Sequence, residues 1–424
     1  MSTYLVIGSG GREHAIAWAL GRDGAEVIVA PGNDGIARDS DIDARCVDVD
    51  ATDVDGLIEL AEAEAVDLTV VGPEAPLCDG LADAFRVEGL AIFGPGQEAA
   101  RLEGSKAFAN EIMEGAGVPT ARWEAFTDAD EAFRHIEAVD YDVAIKADGL
   151  AAGKGVVLPE DLEEARETLD SFMEEGRFGE AGERVVIEER LEGPEMSFIV
   201  VTDGDSVVPM ATSRDHKRIG EGGTGPNTGG MGAVSPAPGV EDSLVNDAME
   251  TIIEPTLAEL ERRGIDYRGF LYAGLMLTSE GPKVLEFNCR MGDPEAQALL
   301  FAGNTSIGPI LQHAAQGTLH DADGLESGSC ACCVVLASGG YPSPERDTGH
   351  VISGLKAAST VEETKVFHAG TALNDRGDFI NAGGRVIGVT GRGDSPEAAR
   401  NRAYEAVQAI NWTGMQYRRD IGRG

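Results

Sequence analysis

Lysine is scarce in this chain: 7 residues of 424, against 27 arginines and 74 aspartates and glutamates, for a net charge of −40. So few cations exclude general nucleic-acid binding, which needs a basic surface to displace counterions from phosphates. Six cysteines are too sparse for a disulfide framework. Cys330 and Cys333 formally spell C-x-x-C, but they lie in CACCVVLA, which reads as a buried strand whose thiols act as small hydrophobes. No apolar run approaches the roughly 18 residues of a membrane span; the longest, 270–277 and 330–337, are strand-sized. The start MSTYLVIGSGG has no basic residues ahead of an apolar stretch, so a secretory signal is not expected and the chain is expected to be cytoplasmic, with reduced cysteines. No Ser/His/Asp nucleophile arrangement and no zinc-spaced His/Cys cluster is present.

What is present suffices for several cores: 42% of residues are hydrophobic, and the length corresponds to about three domains at roughly 150 residues each. Residues 1–104 alternate strand-like runs (YLVIG, AEVIVA, DLTVVG, LAIFG) with helical stretches, predicting a parallel sheet with crossover helices. Residues 105–192 predict a small α+β unit around a glycine-rich hairpin, and 193–328 a second lobe with a helix near 247–263. Residues 329–424 predict a mixed α/β domain ending in a helix. The fold class is thus α/β and α+β, multidomain. The acidity with depleted lysine resembles proteins of salt-accumulating halophiles, where a screening length of about 3 Å makes the self-repulsion tolerable. Scarcity also acts as a filter, because lysines that remain in an arginine-using chain mark positions where a compact ammonium is wanted. Six of the seven fall inside the motifs quoted below.

The loop Gly8-Ser9-Gly10-Gly11-Arg12-Glu13-His14 follows a strand and opens a helix, so its amides and Arg12 are placed to hold a phosphate. It is not a dinucleotide fingerprint, since Glu13 fills the third glycine position and VIVAPGN ends without a ribose-binding acid. That argues against a nicotinamide-dependent oxidoreductase. In KADGLAAGKG, Lys146 and Lys154 flank small residues that can close over a polyphosphate, and this is not a P-loop because Gly155 replaces the metal-contacting hydroxyl. VIEERLEGPE runs from a strand into a turn: backbone around Glu189 to Leu191 is suited to an adenine edge and Glu195 to ribose hydroxyls, although glutamates in so acidic a chain equally make a solvated face. In KVLEFNCRMGDPE, period-2 alternation puts Glu286 and Asn288 on one strand face, with Leu285 and Phe287 on the other. Two hard oxygen donors so spaced suit Mg²⁺, and Arg290, next on that face, offers a fork to a transferring phosphoryl group. TSRDHKR followed by GGTGPNTGGMG predicts a substrate-covering segment in which His216 is either a general base or a structural residue.

With IGSGGREHA, VAPGN, VGPEAPL, LEGSKAF, KADGLAAGKGV, TSRDHKR, TGPNTGGMGA, FLYAGLM, EFNCRMGDPE and KVFHAGT, the chain resembles the glycinamide ribonucleotide synthetase family of the ATP-grasp superfamily from end to end. The resemblance implies a Rossmann-like domain, a two-lobed ATP-grasp core and a C-terminal domain. It implies ligation of glycine to 5-phosphoribosylamine through glycyl phosphate, with ATP as co-substrate, in purine biosynthesis. It further implies that Lys106, Lys146 and Lys154 touch ATP phosphates, that Glu188, Glu189 and Leu191 meet adenine, that Glu195 meets ribose, and that Glu286 and Asn288 hold Mg²⁺ or Mn²⁺. Arg290, Lys154 and Asp293 are the catalytic candidates. Gly10, Gly11, Arg12, Asp215, Lys217, Arg290 and Asp293 are the substrate candidates, with Asp293 on the glycine ammonium. Many enzymes of the superfamily add a carboxylate on the preceding strand, which 270–277 lacks. Neither nucleic acid nor membrane is expected as a partner, and a monomer is expected. The rival readings are another purine-pathway ATP-grasp ligase, disfavoured by DHKR with RMGDPE, and a non-catalytic ATP-binding regulator, disfavoured by the intact E-x-N-x-R strand.

Overall fold

Continuous apolar runs form the first sheet, because a parallel sheet is covered on both faces and has no polar side to present. The computed structural model describes residues 2–151, 153–322, 324–325 and 328–423. Its N-terminal sheet is wholly parallel, in the order Asp43–Cys46, Glu26–Pro31, Thr3–Gly8, Leu68–Val71, Ile92–Phe93. Strand order reverses between Thr3–Gly8 and Leu68–Val71. The helices that follow these two strands, Gly11–Gly21 and Glu74–Cys78, therefore open side by side on one crevice, where such sheets bind ligands.

The 105–192 unit is a four-stranded antiparallel sheet, Trp123–Phe126, Val185–Glu189, Val143–Ala147, Val156–Val157, with its own core under helices Ala129–Ala138 and Leu162–Leu169. Strands Val143–Ala147 and Val156–Val157 are the two arms of the expected hairpin; Ala152 of its turn lies outside the described residues. The stretch ahead of it is two helices, Gln97–Gly104 and Lys106–Ala116. Extended Ser105 caps the second through its hydroxyl, which accepts from the Phe108 amide, and this break sets Lys106 at a helix start.

The second lobe carries the antiparallel sheet Val207–Pro209, Glu195–Thr202, Gly269–Thr278, Gly281–Asn288. The helix expected near 247–263 starts earlier, at Asp242, and runs to Arg262 with one π-helical turn at Met249–Ile253. Two expectations need correction here. A bulge shifts the pairing from Gly274–Glu286 to Leu275–Val284, so Val284 and Phe287 face the core while Leu285 lines the cleft. Strands Arg214–Asp215 and Gly232–Ser235 also leave the expected 193–328 lobe: they extend the C-terminal sheet, ordered Arg214–Asp215, Gly232–Ser235, Cys330–Ala337, Arg385–Gly393, Thr364–His368. The reason is burial, since Ala233 packs with Ala331 and Cys333 from the later strand and with Ala298 and Ala302 of helix Glu295–Ala302. Cys332 and Cys333 are buried free thiols. No helix among the described residues is long and apolar enough to cross a membrane.

Candidate active site

The three sheets and the C-terminal domain face a single cavity of about 710 Å³. Strand Val143–Ala147 sends Lys146 into it, where the ammonium meets the Glu188 carboxylate at 2.6 Å and the Leu285 carbonyl at 2.9 Å. Glu188 also accepts from the Asn110 amide at 3.1 Å. Both partners of this ion pair are buried, so removing one would leave a charge uncompensated, at a cost of about 3–5 kcal/mol. Lys106 reaches the Gly149 carbonyl at 3.2 Å, and burial lowers the pKa of its ammonium. Lys217 lies 3.2 Å from Glu286 and 3.5 Å from Glu195. Lys217, with Lys146 and Lys106 behind it, holds the Glu286 carboxyl down at about 2, so that it is ionised at any working pH. In a chain of net charge −40, three of its seven lysines thus line one cavity.

Glu286 and Asn288 both line the cavity, as does Leu285 beside them. They supply a carboxylate and an amide oxygen, the hard donors that Mg²⁺ or Mn²⁺ takes together with phosphate oxygens and water, so the donor set fits such an ion. Among the described residues no cluster of three or more His, Cys, Asp or Glu side chains is placed to hold a metal by protein ligands alone. Arg290 is fixed from two sides: Nη2 donates to Glu103 at 2.5 Å and to Asn288 Oδ1 at 3.3 Å, and Nε donates to Glu74 at 3.1 Å. Burial would raise the Glu74 carboxyl, but Arg290 and Arg12 pull it down to about 2. Burial works the other way on Glu103, whose pKa is raised although Arg290 opposes the shift.

At the switch-point crevice Arg12 lines the cavity, with Nε on Glu13 at 2.6 Å and Nη1 on the Met291 carbonyl at 3.3 Å. The Gly10 amide, a phosphate donor in the sequence reading, donates to Glu13 Oε2 at 2.6 Å, half of a capping box because glycine has no side chain to return the bond, and neither Gly10 nor Gly11 is among the residues lining the cavity. Gly72 permits this arrangement, because a Cβ there would lie 2.1 Å from Glu13 Oε1. Lys154 is exposed in its turn and outside the cavity lining, whereas Gly153 and Gly155 line it. Glu189 to Leu191 line the cavity, with the Glu189 side chain paired outward to Arg122 at 3.0 Å. Glu195 lines it at the Lys217 side.

Asp215, Asp293 and Glu295 gather at the far end. Burial raises the Asp215 pKa, with Glu295 adding to it, while Glu295 accepts from Tyr272 at 2.6 Å and Ser197 at 3.1 Å. His216 lines the cavity, its pKa lowered to about 4 by burial and by Arg418 so that it is uncharged at neutral pH, and its Nδ1 faces the Gly232 carbonyl at 3.3 Å. Sequence reasoning missed Glu74, Glu103 and Arg385. The first two sit in VGPEAPL and LEGSKAF, which were noted only for their resemblance, and Arg385 sits in no motif at all.

Comparison with known proteins matches the whole length. The phosphoribosylglycinamide synthetase N domain covers residues 2–103, its ATP-grasp (A) domain 104–296 and its C domain 331–424. The chain is 50% identical to the phosphoribosylamine–glycine ligase of Ralstonia nicotianae over 424 residues, covering 99% of this chain and 98% of that one. It is 46% identical to that of Yersinia pestis over 421 residues, at 99% and 97% coverage. A crystal structure of the phosphoribosylamine–glycine ligase of Thermotoga maritima superposes with a TM-score of 0.84 at 35% identity, covering 99% of this chain and all of that one. The biotin carboxylase domain of Hydrogenobacter thermophilus 2-oxoglutarate carboxylase, in complex with MgADP, shares the fold at a TM-score of 0.73 and 16% identity, covering 98% and 91%.

Proposed function

The chain belongs to the phosphoribosylglycinamide synthetase family, and we propose from that premise that its cleft ligates glycine to 5-phosphoribosylamine with ATP, giving glycinamide ribonucleotide, ADP and phosphate for purine biosynthesis. The observation that carries the reading is convergence: Lys106, Lys146 and Lys217, the Glu286–Asn288 face and the doubly held Arg290 line one cavity. A carboxylate is a poor acyl donor until one of its oxygens becomes part of a leaving group. A glycine carboxylate oxygen therefore attacks the γ-phosphorus, the bond to the β-phosphate oxygen breaks, and ADP departs to leave glycyl phosphate. The amine nitrogen then attacks the glycyl carbonyl carbon, the acyl–oxygen bond breaks, phosphate leaves and the nitrogen loses its proton.

Positioning and electrostatics do most of the work in such a transfer. Lys106 and Lys146 hold nucleotide phosphates, and the backbone at Glu189 to Leu191 with Glu195 receives adenosine. Glu286 and Asn288 hold Mg²⁺ or Mn²⁺, which when bound neutralises phosphate charge. Arg290, aimed by Glu103 and Glu74, faces the transferring phosphoryl group. Arg12 lies at the crevice where the ribosyl phosphate enters, and Asp293 and Asp215 serve the amino-acid end. Lys154 joins only if its hairpin closes over the phosphates. The six free cysteines suit a reducing cytoplasm.

ADP release tested in molar KCl with glycine and freshly made phosphoribosylamine, omitting each in turn, should require both. Turnover independent of glycine would remove the assignment. Stability that did not rise from dilute buffer to molar KCl would count against adaptation to high salt.

A further inference from the structure

Arg385 opens the C-terminal strand Arg385–Gly393, and its guanidinium reaches out of that domain into the cavity wall. Nη1 donates to the carbonyls of Gly229 at 2.6 Å and Asp293 at 2.5 Å, and Nη2 donates to Asp293 Oδ2 at 3.1 Å. The other Asp293 oxygen accepts from Gln297 Nε2 at 2.8 Å. The Gly229 amide donates to the Tyr341 hydroxyl at 3.0 Å. The C-terminal domain therefore grips Gly229 on both sides of its α-carbon. Small residues make the grip possible: a Cβ on Gly384 would lie 2.6 Å from the Tyr341 ring, and one on Gly229 would lie 3.0 Å from Arg385 Cζ. Thr228, Gly229 and Asp293 all line the cavity.

We propose that Arg385 is a positioning residue for the amino-acid end of the cleft: it orients the Asp293 carboxylate and, with Tyr341, holds the 227–230 segment against it. The proposal rests on the reading of the cavity as a glycine-ligating site. A planar guanidinium spans a carboxylate oxygen and two carbonyls at once, which a lysine ammonium, a compact point charge, does not reproduce. The C-terminal domain thereby acts on the site through two side chains and not merely as a support.

The test measures kcat and the separate KM values for glycine and ATP in Arg385→Met, Arg385→Lys and Tyr341→Phe, together with amide hydrogen exchange over 224–232. Arg385→Met should raise the glycine KM at least tenfold with the ATP KM within twofold, and Arg385→Lys should recover only part of that. Asp293→Asn added to Arg385→Met should worsen it little, because the two act as one unit. Tyr341→Phe should speed exchange at least fivefold in 224–232 and nowhere else. Equal changes in both KM values, full additivity with Asp293→Asn, or unmoved exchange in folded Tyr341→Phe would overturn the proposal. Should Arg385→Met not fold, the Lys and Phe variants decide. A wild-type chain without glycine-dependent ADP formation would tell against the reaction, and the exchange result would then judge the Arg385–Tyr341 grip by itself.

Discussion

Lys217 and Lys365 each sit between two carboxylates, yet the two networks are built differently. In the cavity Lys217 stands 3.2 and 3.5 Å from Glu286 and Glu195, and about a third of its side chain still reaches the surface. In the seam between the N- and C-terminal domains Lys365 meets Asp39 and Asp41 at 2.6 Å each. There Asp39 accepts from His14 Nε2 at 2.9 Å, and His14 Nδ1 accepts from the His368 amide at 2.8 Å. Burial alone would raise the Asp39 carboxyl, but His14 and Lys365 hold it well below the ordinary range. Short bonds to protein partners make the seam a closed network. Longer bonds beside a cavity leave Lys217 and Glu286 able to exchange each other for phosphate and cation. Distance and access, more than residue type, separate charges kept for a ligand from charges kept for the fold.

The largest effect that would sharpen this contrast is on turnover. Glu286→Gln removes charge but little volume, and should lower kcat by about 10² or more with an unchanged melting temperature, because it removes electrostatic stabilisation at the reacting phosphates. ADP release and thermal unfolding measure the two sides, and wild-type turnover would end the metal-holding role. In the seam the pattern should invert. Asp39→Asn should cost about 3 kcal/mol by denaturant unfolding, leaving Lys365 and His14 poorly compensated, while kcat per folded molecule stays within about twofold.

A third, smaller effect is on pH. Burial, with His14 adding to it, lowers the His368 imidazole to about 3, and burial likewise lowers His14. Above the ordinary value of about 6.5 both folded and unfolded forms are neutral and stability is full. As pH falls below it the unfolded chain takes up protons first, so stability is lost toward the folded value at up to about 1.4 kcal/mol per pH unit per histidine. His368→Gln should flatten the curve of unfolding free energy between pH 6 and 4 by about that slope; an unchanged curve would contradict the burial argument. The smallest effect belongs to Lys283, a motif lysine that pairs with the exposed Glu280 at 2.7 Å. Lys283→Ala should move stability by less than about 0.5 kcal/mol and leave kinetics alone.

The lysine filter shows how much of the site was legible. It picked out Lys106, Lys146 and Lys217 because a compact ammonium is rarely kept by chance in this composition, yet it also took in Lys154 and Lys283, which lie outside the cavity lining, and Lys365, which belongs to the seam. Glu286, Asn288 and Arg290 were legible because a strand's two-residue period needs no tertiary knowledge. Leu285 was misassigned because a bulge depends on the partner strand. Glu188 was legible as a cavity residue, but only the fold shows that its carboxylate pairs with Lys146 at 2.6 Å.

By itself the chain pointed to its N-terminal parallel sheet, its glycine-rich hairpin and the short motifs whose chemistry is local. These follow from periodicity, turn residues and composition, which act over a few neighbours. Only the folded molecule decided that strands Arg214–Asp215 and Gly232–Ser235 join the C-terminal sheet, that Glu74 and Glu103 aim Arg290 from more than 180 residues away, and that Arg385 reaches Gly229 and Asp293. Those contacts were settled by which buried charges and backbone groups had to find partners once the domains closed on one another, and no local pattern encodes that.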